Sequence, residues 1–145
     1  MTSQQFLLKQ KRPKSAVSTI ELRVPAQADF VGLVRNTATA VIARTELSVD
    51  ELADWTLCIS EAFNHVINHH PVHGDVHVQF RVAEGGVRIA VTGPSGSSLE
   101  TLNSSDISTQ LAWTILNSVP ESVETAISDD GAITLTLVSA VVASA

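Results

Sequence analysis

Hydrophobic residues along this chain recur with two different periods, and the order in which the periods alternate is the tightest constraint on its fold. Thr19 to Pro25 (T-I-E-L-R-V-P) alternates Ile20, Leu22 and Val24 with Glu21 and Arg23, as a half-buried strand does. From Asp29 to about Thr45, Phe30, Val34, Val41 and Ile42 return at helical spacing, and Asp29 or Gln27 is expected to start that helix. A second helix opens at the capping box Ser48 to Glu51 (S-V-D-E) and stops at Pro71. Its apolar stripe is Leu52, Trp55, Ile59, Ala62, Phe63 and Val66, which puts Glu61, Asn64, His65 and Asn68 on the opposite side. The period of two returns over Asp75 to Glu84, then over Val87 to Val91 after a turn at Gly85-Gly86. A third helix is expected over Asp106 to Val119, and a last hairpin over Val123 to Ile127 and Ala132 to Val138, turning at Asp129-Asp130-Gly131. The order βααββαββ implies an α+β two-layer sandwich, a mostly antiparallel sheet with helices on one face.

The 145 residues suffice for one domain with a proper core. Residues 1–18 are expected to form a disordered basic tail, carrying Lys9, Lys11, Arg12 and Lys14, and residues 19–140 the single folded domain. The net charge of −6 understates how acidic the folded part is: every Asp and Glu lies from Glu21 onward, and no Lys or Arg follows Arg88. That distribution excludes a binder of duplex nucleic acid, which needs a basic stripe. It suits a protein partner with basic patches. Cys58 is the only cysteine, so an intrachain disulfide is impossible, consistent with a reducing cytoplasm. No apolar run is long enough to span a membrane, and the head lacks the apolar core of a signal peptide.

All five histidines lie between His65 and His77. Glu61, His65 and His69 are spaced four apart and would stack along one helix face. His65 and His69, with His73 or Glu61, could hold zinc. Yet the sequence H-E-x-x-H is absent, and imidazoles near a helix C-terminus are also favoured by the helix dipole alone. The surface explanation is preferred, and a metal- or pH-responsive binding protein stays as an alternative. Cys58 matches no nucleophile motif and reads as a small buried hydrophobe. Gly93-Pro94-Ser95-Gly96 could approach a phosphate with its backbone or serve as a plain loop, with one N–H already lost at Pro94.

The path from I-E-L-R-V-P through F-V-G-L-V-R and S-V-D-E-L to S-E-A-F-N-H-V-I-N-H resembles the anti-sigma-factor serine kinases of the RsbW type, members of the GHKL (histidine-kinase-like) ATPase superfamily. The resemblance covers roughly Ile20 to Val138 and is specific in the first half. It implies the GHKL sandwich and a cytoplasmic regulator of transcription. Such a regulator sequesters an RNA polymerase sigma factor, is released by a STAS-type antagonist, and is commonly a homodimer. Family members bind ATP and Mg²⁺. Their second helix carries S-E-A-x-x-N-A-x-x-H, in which Glu is the general base toward a serine of the antagonist and Asn holds the metal. By this correspondence Glu61 is the base, His69 matches the last His, and His65 stands at the metal position with Asn64 one residue early. Mg²⁺ prefers hard oxygen ligands, and imidazole suits softer metals. Asn64 is turned about 100° around the helix from His65. Gly93 and Gly96 fall where the family has its aspartate-glycine motif, and Ser108 to Ala112 falls where it has a second glycine box; the aspartate and the second set of glycines are missing. Arg35 matches the family's sigma-contacting arginine. The expectation is an anti-sigma factor with impaired ATP binding and kinase activity. An active serine kinase, with Glu61 as base and Asn64 or His65 supporting the metal, is the first alternative.

Overall fold

The computed structural model describes residues 18–68, 74–83, 86–95 and 113–139. Strand β1 spans Ser18–Pro25 and leads through a 3-10 turn, Ala28–Phe30, into helix α1, Val31–Ile42. No side chain caps the turn: Gln27 precedes it in extended conformation and Asp29 lies inside it. Helix α1 stops before Thr45 because the chain tightens there. Arg44 and Thr45 donate their N–H groups to Val41 and Ile42, and the Thr45 hydroxyl also bonds the Ile42 carbonyl at 2.6 Å. Helix α2, Val49–Asn68, begins as its sequence requires, with the Glu51 N–H donating to Ser48 Oγ at 3.1 Å.

Strands β2 (Asp75–Ala83), β3 (Gly86–Thr92), β4 (Ser122–Ile127) and β5 (Ile133–Val138) complete the sheet. The strand order is β1-β2-β3-β5-β4, and every neighbouring pair is antiparallel. Between β4 and β5, Gly131 takes φ 84°, a conformation open to residues without a Cβ. Asp130 accepts hydrogen bonds from the Ser128 hydroxyl and the Ala132 N–H, which hold its carboxyl below the usual range. Of the third expected helix, residues 113–119 are described: 113–116 are helical, and the chain turns at 117–118, short of the expected end at Val119. Its start, the basic head, Gly85 and the chain end lie outside the described residues.

Pairing places Phe80, Ile89 and Leu137 in one row across the sheet and Val78, Val91 and Leu135 in the next. These face Val34, Ala38, Val41 and Ile42 of α1 and Trp55, Ile59, Phe63 and Val66 of α2 in one apolar core. Burying each large side chain contributes about 1.5–3 kcal/mol. The intervening rows form a polar face. There Gln79 donates to Glu21 at 3.2 Å, Thr92 and Thr134 share a hydrogen bond of 2.9 Å, and Arg88 lies 3.6 Å from Glu124. This is the two-layer α+β sandwich that the hydrophobic periods imply. Among the described residues no helix is long and apolar enough to cross a membrane.

Candidate functional site

Helix α2 carries the candidate residues Glu61, Asn64 and His65, and its neighbours treat its sides differently. Toward α1, the seam is polar. Arg35, exposed on α1, donates from Nε to Ser60 Oγ at 3.1 Å, and the Ser60 hydroxyl donates to the Thr56 carbonyl at 3.0 Å. One turn along, the Thr39 and Thr56 hydroxyls lie 3.4 Å apart. Ser60 is itself buried, so the guanidinium is tied to a fixed point directly beside Glu61. Glu61 and Asn64 are half-buried, and Leu57, one turn before Glu61, is exposed.

His65 corrects the expectation that it shares an open polar side with Glu61 and Asn64. It is 4% exposed and packs edge-to-face on Trp113, with ring centroids 5.2 Å apart and planes at 69°. The reason is the row it occupies. Cys58, Ala62 and His65 recur at helical spacing, and residues 113–116 lie across them, with Cys58 Sγ donating to the Ile115 carbonyl at 3.4 Å and Leu116 fully buried. The apolar stripe of α2 is therefore wider than the sequence suggests, and Cys58 and His65 are in it. Burial first, then the negative charges of Asp54 and Glu61, push the Cys58 thiol up to about 11, which keeps it protonated and inert as a nucleophile.

Gly93 is placed for packing. A Cβ at this position would come within 2.2 Å of Val66 Cγ1, so only glycine lets the end of β3 approach α2 this closely. Its N–H already donates to the Ile133 carbonyl at 2.9 Å and is not available to a phosphate. Pro94 sits against Gly74. Gly96, the Ser108 to Ala112 segment, His69, His70 and His73 lie outside the described residues. Among the described residues no three His, Cys, Asp or Glu side chains gather as metal ligands. A buried imidazole in place of an oxygen donor, and a glycine N–H already spent in the sheet, do not fit magnesium and a nucleotide phosphate. Sequence reasoning overlooked Trp113 and Ser60. Ser60 adjoins Glu61 in the motif, and a serine on the α1 side of the helix was the available signal; nothing local marks Trp113.

A sequence profile of the histidine kinase-like ATPase domain matches residues 24–137. The serine-protein kinase RsbW of Bacillus subtilis (strain 168) is 31% identical over 87 residues, 58% of this chain and 54% of that protein. The serine-protein kinase RsbW of Staphylococcus aureus (strain JH9) is 29% identical over 82 residues, 54% of this chain and 52% of that protein. The chain thus spans about half the length of the curated relatives it matches. The crystal structure of the RsbU and RsbW domains of Rv1364c from Mycobacterium tuberculosis superposes with a TM-score of 0.62 over 83% of this chain and 31% of that one, at 18% identity, a likeness of fold.

Proposed function

The chain belongs to the histidine kinase-like ATPase domain family, and from that membership we propose that it is a cytoplasmic anti-sigma factor of the RsbW type. It sequesters an RNA polymerase sigma factor and is released by a STAS-domain antagonist, with ATP binding and phosphotransfer impaired. The observation that carries the proposal is the Arg35–Ser60 hydrogen bond. At the position of the family's sigma-contacting arginine, a side chain exposed on α1 is held by a buried serine, which lowers the entropy lost when a partner engages it. The acidic surface adds long-range attraction to a basic partner.

The test is affinity purification of the tagged full chain from its native cell, with mass spectrometry, for the wild type and for Arg35→Glu. Recovery of a sigma factor with the wild type and its loss with Arg35→Glu is the expected outcome. No sigma factor with either, from a folded chain, defeats the proposal.

One observation favours a second possibility, an active serine kinase. Glu61, at the family's general-base position, retains partial exposure while His65 four residues on does not. Phosphotransfer from radiolabelled ATP to the antagonist, abolished by Glu61→Gln, would select this possibility over the first.

A further inference from the structure

We propose that His65 and Trp113 form an internal closure. Together they keep a divalent cation, and with it a metal-bound nucleoside triphosphate, off the C-terminal half of α2, and this makes Trp113 a specificity-determining residue. The proposal deepens the impaired-nucleotide part of the function above and rests on it, naming the side chains responsible.

The pair is in contact, its segment is fastened to α2, and the same end of the helix is tightly packed on another side. The indole packs edge-to-face on an imidazole that is 4% exposed. Two residues after Trp113, the Ile115 carbonyl accepts from Cys58 Sγ, and the next residue, Leu116, is fully buried, so the segment carrying the indole is fastened to α2 two turns before His65. On another side, Gly93 lies so close to Val66 that no Cβ fits between them, and its N–H is engaged by Ile133.

A hard dication entering here would have to displace an aromatic ring from a buried neighbour. It would then meet nitrogen where it prefers oxygen. Of the oxygens at hand, both on half-buried residues, those of Asn64 are turned about 100° around the helix and those of Glu61 lie a full turn back. Opening the pair would also leave the triphosphate without support from this half of the chain, which has no Lys or Arg after Arg88. A side-chain pair that fills a site from within discriminates by exclusion, the cheapest form of selectivity against a ligand.

The test compares ATP affinity in excess magnesium with that in EDTA, by competition against a fluorescent ATP analogue, for the full chain and for His65→Asn/Trp113→Ala. The ratio of the two affinities isolates the metal, because losses at the adenine side affect both equally. The wild type is expected to show no magnesium dependence, and the folded double variant to gain about tenfold with magnesium. A wild type that already binds about tenfold tighter with magnesium overturns the closure and the impaired-site reading together. A folded double variant with no magnesium-dependent binding overturns the closure alone and leaves that reading standing.

Diethyl pyrocarbonate labelling of the wild type checks the closure without any substitution, should the double variant lose its cooperative melting. His77, whose side chain is 39% exposed, should react, and His65 should not, with or without Mg-ATP. Labelling of native His65 at a rate comparable to that of His77 overturns the proposal.

Discussion

Ser60 and His65 are both buried polar residues of α2, yet they face different sides of it. The Ser60 hydroxyl turns to α1 and holds an exposed arginine for whatever comes to the surface. The His65 ring turns toward the second half of the chain and is covered by Trp113. The seam is polar and reaches an exposed side chain; the other side is aromatic and closed. Two sides of one helix can differ in this way because they are packed by different segments.

The comparison breaks most visibly if the two kinds of position prove energetically alike. Phe63→Ala, in the fully buried stripe of α2, should cost about 3–5 kcal/mol in urea unfolding at unchanged slope, whereas Leu57→Ala on the open side should stay within about 0.5 kcal/mol. Gly93→Ala should cost about 1–3 kcal/mol, since its Cβ would sit 2.2 Å from a branched side chain with a stiff rotamer. Val66→Ala in that background should return part of the loss, and a double-mutant cycle that proves additive would show that the two do not touch. Ser60→Ala should cost no more than about 1 kcal/mol, because water takes over at the exposed guanidinium. Its effect should appear in partner affinity, and non-additivity with Arg35→Ala would locate that effect in the hydrogen bond.

The effect hardest to see near neutrality is a pH dependence at the closed side. The Cys58 thiol is raised to about 11 from its usual 9.0, so the folded chain keeps a proton that the unfolded chain surrenders. Stability from this source is complete below pH 9.0 and is lost as the pH rises through 11. Thermal melts of wild type and Cys58→Ala should therefore diverge less at high pH than at neutrality. Ellman's reagent should leave the native thiol unmodified near pH 8, and prompt labelling there would mean that residues 113–116 do not cover it.

Much of this architecture is legible in residue order alone. Alternation places Val76, Val78 and Phe80 on the core side of β2, Ser48 starts α2, and the Asp129-Asp130-Gly131 turn joins the last two strands, each for a reason that acts within a few residues. Glu61 and Arg35 are equally legible as positions, since motif spacing identifies them without knowing what lies across from them. The environment of His65 is not. Helical spacing allowed it to follow Glu61 toward solvent or Cys58 toward the core, and a polar side chain made the first choice natural.

The sequence by itself determined the element order, the antiparallel sheet with its helix layer, and the acidic, arginine-poor second half. Those follow from period, turn chemistry and composition, which are properties of neighbouring residues. Only the tertiary structure decided that Ser60 fastens Arg35, that Gly93 is a packing glycine with its N–H committed to Ile133, and that Trp113 seals His65 into the core. Each of these joins side chains more than twenty residues apart. Burial of such a group depends on what the rest of the chain lays over it, and no local pattern carries that information.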